Sequence, residues 1–186
     1  MNNVEVRICE GDIFTFPGDL LLIISNIYGD CKGQNAMISQ VLKHGGTNLV
    51  MQFRGFMNEI RGNRDLLGTT HIFPTHGKLK EMGFNCLILG YPITGNKDSL
   101  LEVFRHIRTH FRFEEKPTLS LTLPLIGTNV GGVTIEEWIS MFKAFVDELK
   151  NSSDNNIHQI NLSILPNKLS EHDYKKIKQL EIQHFE

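Results

Sequence analysis

Two short, unbroken apolar runs constrain this chain most: Leu20-Leu21-Leu22-Ile23-Ile24 and Cys86-Leu87-Ile88-Leu89. Each has strand length, and neither alternates with polar residues. Such a run is stable where both faces of a strand are covered, as in a central strand of a helix-flanked sheet. Around them the chain alternates in period. Val4, Val6 and Ile8 alternate with polar residues, as do Leu119, Leu121 and Leu123 before Pro124, and Ile160, Leu162 and Ile164. Thr69 to Phe73 also reads as a strand.

Between these strands lie segments with helical spacing. They carry Met37, Ile38, Val41 and Leu42; then Leu49, Val50, Phe53, Met57 and Ile60; then Leu100, Phe104, Ile107 and Phe111. Gly45-Gly46 predicts a stop between the first two. The clearest amphipathic helix carries Ile135, Trp138, Ile139, Phe142, Phe145, Val146 and Leu149. Thr134 is its expected N-cap, with Glu136 and Glu137 in the first turn. A last helix opens at Ser170 and carries Tyr174, Ile177 and Leu180. Strands alternating with helices predict an α/β domain with a largely parallel sheet. The 186 residues suit one domain spanning 1–186, with no repeat and no linker dividing it.

Composition narrows the function. The net charge of −2 argues against affinity resting on broad phosphate neutralisation, so strong nucleic-acid binding is not expected. It leaves open a nucleotide pocket built from backbone N–H groups. Cys9, Cys31 and Cys86 form no CxxC pair, so neither a zinc site nor a disulfide framework is expected. No apolar run approaches the ~20 residues of a membrane span. The Met-Asn-Asn-Val-Glu start does not read as a signal peptide. These features predict a cytoplasmic protein with reduced thiols.

Ligands of α/β folds bind beyond the carboxyl ends of the strands. Two strand-to-helix loops there are rich in glycine. The first runs Ser25-Asn26-Ile27-Tyr28-Gly29-Asp30-Cys31-Lys32-Gly33-Gln34-Asn35, and the second Pro124-Leu125-Ile126-Gly127-Thr128-Asn129-Val130-Gly131-Gly132. Their glycines permit close backbone approach, and together they suggest a cradle for a diphosphate. Each also reads as an ordinary turn-rich connection. Gly11-Asp12-Ile13 follows the first strand. The Asp12 carboxylate can accept a hydrogen bond from an exocyclic amine such as adenine's, or can cap its own turn.

Together these pieces resemble a macrodomain, the family that binds ADP-ribose. The resemblance rests on Gly11-Asp12-Ile13, the strand ending at Ser25-Asn26, the loop from Gly29 to Ala36 and above all Leu123 to Gly132, and it covers roughly residues 4–182. It implies a three-layer α/β/α fold with a mixed, largely parallel sheet of about six strands. Asp12 and the Ile13 backbone would meet adenine. Gly33 and Gln34 would line the diphosphate and distal ribose, and Asn26 would reach that ribose. Gly127, Thr128, Asn129, Val130 and Gly131 would wrap the diphosphate from the other side. The implied partners are ADP-ribose or an ADP-ribosylated macromolecule, with no cofactor, metal or membrane.

The departures bear on catalysis. Hydrolytic members of the commonest type carry Asn-Ala-Ala-Asn after the second strand; here the run is Ile23-Ile24-Ser25-Asn26. Gln34 takes the place of their loop Asp, and Gln is no general base. A second hydrolytic subgroup uses a Lys on the middle strand and a late-loop Asp. Here Leu87 to Tyr91 and Gly131-Gly132 supply neither. Binding alone is therefore the leading expectation. The alternatives are an ADP-ribosyl hydrolase with Asn26 as its candidate catalytic residue, and an interaction domain with a decayed pocket. His71, His76 and Cys31 could act as acid/base, ligand or nucleophile, but read first as structural. Tyr28 and Tyr91 read equally as ribose contacts and as core.

Overall fold

The computed structural model describes residues 3–28, 37–93, 95–110, 118–128, 132–153 and 155–182. Six strands form one sheet: β1 (Glu5–Glu10), β2 (Leu20–Ile24), β3 (Thr70–Pro74), β4 (Cys86–Gly90), β5 (Leu119–Pro124) and β6 (Ile157–Ile164). Their order is β1-β6-β5-β2-β4-β3. All pairs are parallel except β3–β4. The helices are α1 (Met37–Ile60), α2 (Gly77–Glu81), α3 (Lys97–His110), α4 (Ile135–Asn151) and α5 (Glu171–Ile182).

The central runs behave as their composition requires. On β2, Leu20 and Leu22 join the core shared with α3, α4 and α5, whereas Leu21 and Ile23 join the core shared with α1 and α2. On β4, Ile88 faces the first core, and Leu87 and Leu89 the second. Burying each such side chain stabilises the fold by about 1.5–3 kcal/mol. The helices thus lie on both faces of a mixed sheet, in three α/β/α layers. Trp138 and Phe142 of α4 are fully buried and stack at 4.8 Å.

Gly46 explains why β3 runs backward. It takes φ 69° and ψ −168°, outside helical space, so α1 is two helical pieces meeting at a corner. The first piece descends from β2. The second returns to the carboxyl edge, where Gly62 N donates to Ile27 O at 2.9 Å. β3 starts from that edge and descends, pairing Thr70 with Gly90. The glycine stop was legible in the sequence; the reversal it produces was not.

The other face of β5 and β6 carries a polar seam. Thr122, Asn161 and Ser163 are buried there. They hold the segment from Gly11 to Asp19 as it crosses the sheet. Ser163 Oγ donates to Gly11 O at 3.0 Å, Thr122 Oγ1 to Phe16 O at 3.2 Å, and Asn161 Nδ2 to Pro17 O at 3.4 Å. Asp19 Oδ2 accepts from Ser120 N and Oγ. Among the described residues no helix is long and apolar enough to cross a membrane.

Candidate functional site

Five parallel strands point their carboxyl ends along one edge. Following strand order, the segments there are Gly11–Asp12 after β1, Leu165 after β6, Leu125–Thr128 after β5, Ser25–Tyr28 after β2, and Tyr91–Ile93 after β4. Three strand spacings of about 4.8 Å separate β1 from β2, so the ends of these two strands stand roughly 14 Å apart across the edge. That span suits an extended ligand rather than a single base or sugar.

Asp12 performs the local role its tripeptide permitted. Oδ1 accepts from Phe14 N at 3.1 Å and caps a 3-10 turn, Ile13–Thr15. The residue is exposed, and among the described residues no further partner engages its carboxylate. Oδ2 thus remains available as an acceptor. Ile13 is buried, and its side chain anchors the turn in the α1 core.

The late loop is pinched at its base: Val133 N donates to Gly127 O at 3.0 Å. Gly127 has φ +82°, which favours glycine, and a Cβ there would lie 3.1 Å from Leu100 Cδ2, a tight contact. Thr128 Oγ1 donates to Leu125 O at 2.9 Å, which shapes the turn. The helix after this loop is closed by its own residues. Thr134 Oγ1 accepts from Glu137 N, and Glu137 Oε2 accepts from Thr134 N at 3.1 Å, a reciprocal capping box. Those hydrogen bonds hold the Glu137 carboxyl below its ordinary range. The Glu137 carboxylate thus occupies the α4 terminus and disfavours a second anion there.

Asn26 is exposed; its Oδ1 accepts from Tyr28 N at 3.0 Å, an Asx turn that fixes the start of the first loop. The predicted Gly33, Gln34, Asn129, Val130 and Gly131 lie outside the described residues. So does Cys31.

Other candidates take structural places. Tyr91 is fully buried with its hydroxyl 4.0 Å from Met57 Sδ, and burial pushes that hydroxyl's pKa up. His71 stacks on Phe56 at 3.7 Å, and burial lowers its pKa. His76 Nε2 lies 3.1 Å from Gln52 Nε2. Glu136, His172 and Asp173 are the one group among the described residues spaced to share a metal. Glu136 is already paired with Lys176, and the group adjoins the N-terminal turns of α4 and α5, whose dipoles repel cations.

Tyr28, a ribose-contact candidate in the sequence, is about half exposed, as are two residues that escaped sequence reading, Ile93 and Leu165; each follows a strand at this same edge. Leu165 directly follows Ile164, whose carbonyl accepts from Gly11 N at 2.9 Å, so it neighbours Asp12. The signal was available: Leu165 breaks the β6 alternation immediately before a proline turn.

No protein-family model and no curated protein matches the sequence. Solved structures do match the fold. The Oceanobacillus iheyensis macrodomain with ADP aligns at TM-score 0.73 and 18% identity, covering 99% of this chain and 93% of that one. The Trypanosoma brucei macrodomain in complex with ADP aligns at 0.72 and 14%, covering 94% and 68%. The macro domain of ganglioside induced differentiation associated protein 2 aligns at 0.70 and 14%, covering 97% and 88%. The chain has the macrodomain fold.

Proposed function

We propose that this protein binds ADP-ribose, or a related ADP-containing nucleotide, along the edge from Asp12 to Asn26. In this reading it is a cytoplasmic reader of ADP-ribosylation or a sensor of a nucleotide signal. One observation carries the proposal: an exposed carboxylate, a pinched glycine loop and an Asx-turn asparagine stand in strand order on one edge of a macrodomain fold. Asp12 Oδ2 would accept from the adenine amine while Leu165 offers the ring an apolar face. The loops after β2 and β5 would supply backbone donors to the diphosphate, with Asn26 at the distal ribose. The neighbours with ADP from Oceanobacillus iheyensis and Trypanosoma brucei support this choice of ligand.

Binding without hydrolysis is favoured by the sequence of the first loop. Asn26 Oδ1 holds the Tyr28 amide, and Gln34, in the place of the loop Asp of hydrolytic members, is no general base. The test is a single-turnover incubation of excess protein with an ADP-ribosylated protein. A reader retains the modified protein and releases no ADP-ribose. Release that disappears in Asn26→Ala would establish the hydrolase instead. Retention of neither ADP-ribose nor the modified protein would leave an interaction domain with a decayed pocket.

A further inference from the structure

Charge is divided unevenly between the two helical layers. Residues 37–85, which form α1, β3 and α2, contain six Lys/Arg and three Asp/Glu. The remainder contains 13 and 18. Among the described residues every ion pair lies on β1, α3, α4 or α5, as in Arg105–Glu148 and Lys178–Glu181, and none involves residues 37–85.

Two of the cations without an ion pair, Arg54 and Arg61, share one flank. At about 100° per residue, Arg54, Asn58 and Arg61 fall within roughly 60° on the second piece of α1, while Glu59 lies on the opposite flank. All three are exposed, and Arg64 follows in the next turn. This turn abuts the distal end of the candidate site: a Cβ on Gly62 would lie 3.5 Å from Tyr28 Cε1. Between this flank and Glu59, Gly55 is exposed in mid-helix with nothing within 4 Å of its Cβ position. Glycine there weakens the helix and serves no internal packing. It leaves room for an external backbone.

We propose that Tyr28, Arg54, Arg61 and Arg64 form a short docking surface for single-stranded nucleic acid, running from the distal end of the site down α1. A half-exposed aromatic ring beside a row of cations is the arrangement that stacks a base and tracks a phosphate backbone. An acidic peptide would use the arginines but leave the Tyr28 ring without a role. The surface is short, which agrees with a net charge of −2: it neutralises about three phosphates. The proposal goes beyond the ADP-ribose reading and does not require it.

The test is fluorescence anisotropy of a labelled ten-nucleotide single strand titrated with the full chain, with polyglutamate of equal charge as comparator. Three phosphate contacts predict a slope near −2 for log affinity against log salt. Arg54→Gln/Arg61→Gln/Arg64→Gln should flatten that slope, and Tyr28→Ala should weaken binding about tenfold. Lys175→Ser, on α5, should change neither. Binding equal to polyglutamate, or lost equally in Lys175→Ser, overturns the proposal. So does absence of strand binding in a protein whose melting temperature still rises with ADP-ribose. Strand binding without that rise refutes the ADP-ribose reading alone.

Discussion

The polar seam beneath the Gly11–Asp19 crossing makes a quantitative prediction at Gly18. A Cβ at this position would lie 2.5 Å from Thr122 Oγ1 and 3.3 Å from Ser120 Oγ. The first distance is too short to survive unless Thr122 moves. Thr122 is fully buried, and its hydroxyl donates to Phe16 O and accepts from Asn161 Nδ2 at 3.2 Å. Moving it costs about 1–3 kcal/mol of overpacking and about 1–3 kcal/mol for buried groups left unpaired. Gly18→Ala should therefore lose about 2–6 kcal/mol in denaturant unfolding. For a domain of this length that lowers the melting temperature by roughly 4–24 °C. Thr122→Ala removes the obstructing oxygen. The double variant should therefore lose clearly less than the two single losses combined. A Gly18→Ala variant within about 0.5 kcal/mol of wild type, or strictly additive losses, would refute the seam as the device that sets the path to Asp12.

Three further outcomes follow from the same geometry. Asp12→Asn should retain the cap on Phe14 N, and hence stability, yet weaken ADP-ribose binding by calorimetry because one acceptor becomes a donor; Asp12→Ala should weaken both, the cap costing about 1 kcal/mol. Glu137 is held below the usual carboxylate value of 4.5, so the stability it adds is present at neutral pH and is lost as pH falls below that value. Thr134→Ala should lower the melting temperature at pH 7 and shrink its decline below pH 5. His71 is held below 6.5 by burial, so the folded state resists its protonation and stability falls as pH drops through 6.5. His71→Phe should flatten the thermal profile between pH 7 and 5.

Most of the fold was legible because each element solves a burial problem visible in its residues. Leu20 to Ile24 has no polar face, so it had to be central. Thr134 followed by Glu136 and Glu137 already marked the start of α4, though not the reciprocal capping box. What was hidden depends on partners distant in sequence. The five-residue α2 is too short to show a period, and the direction of β3 follows from the corner at Gly46. Ser120, Thr122, Asn161 and Ser163 look like solvent-facing strand residues until the Gly11–Asp19 segment covers them. Asp12 could be read as either cap or ligand contact; its Oδ1 caps while Oδ2 stays open, so both readings are compatible. Tyr28 and Tyr91 were equivalent on paper, yet one is half exposed and the other fully buried.

The central claim is that the edge from Asp12 to Asn26 takes an ADP-ribose. Thermal unfolding with ADP-ribose, ADP, AMP and NAD tests it most directly. Ligand at about 100 times its dissociation constant adds roughly 2.7 kcal/mol. That should raise the melting temperature by about 5–10 °C with ADP-ribose and by less with AMP, which lacks the diphosphate and distal ribose. No shift with any of the four nucleotides would contradict the account.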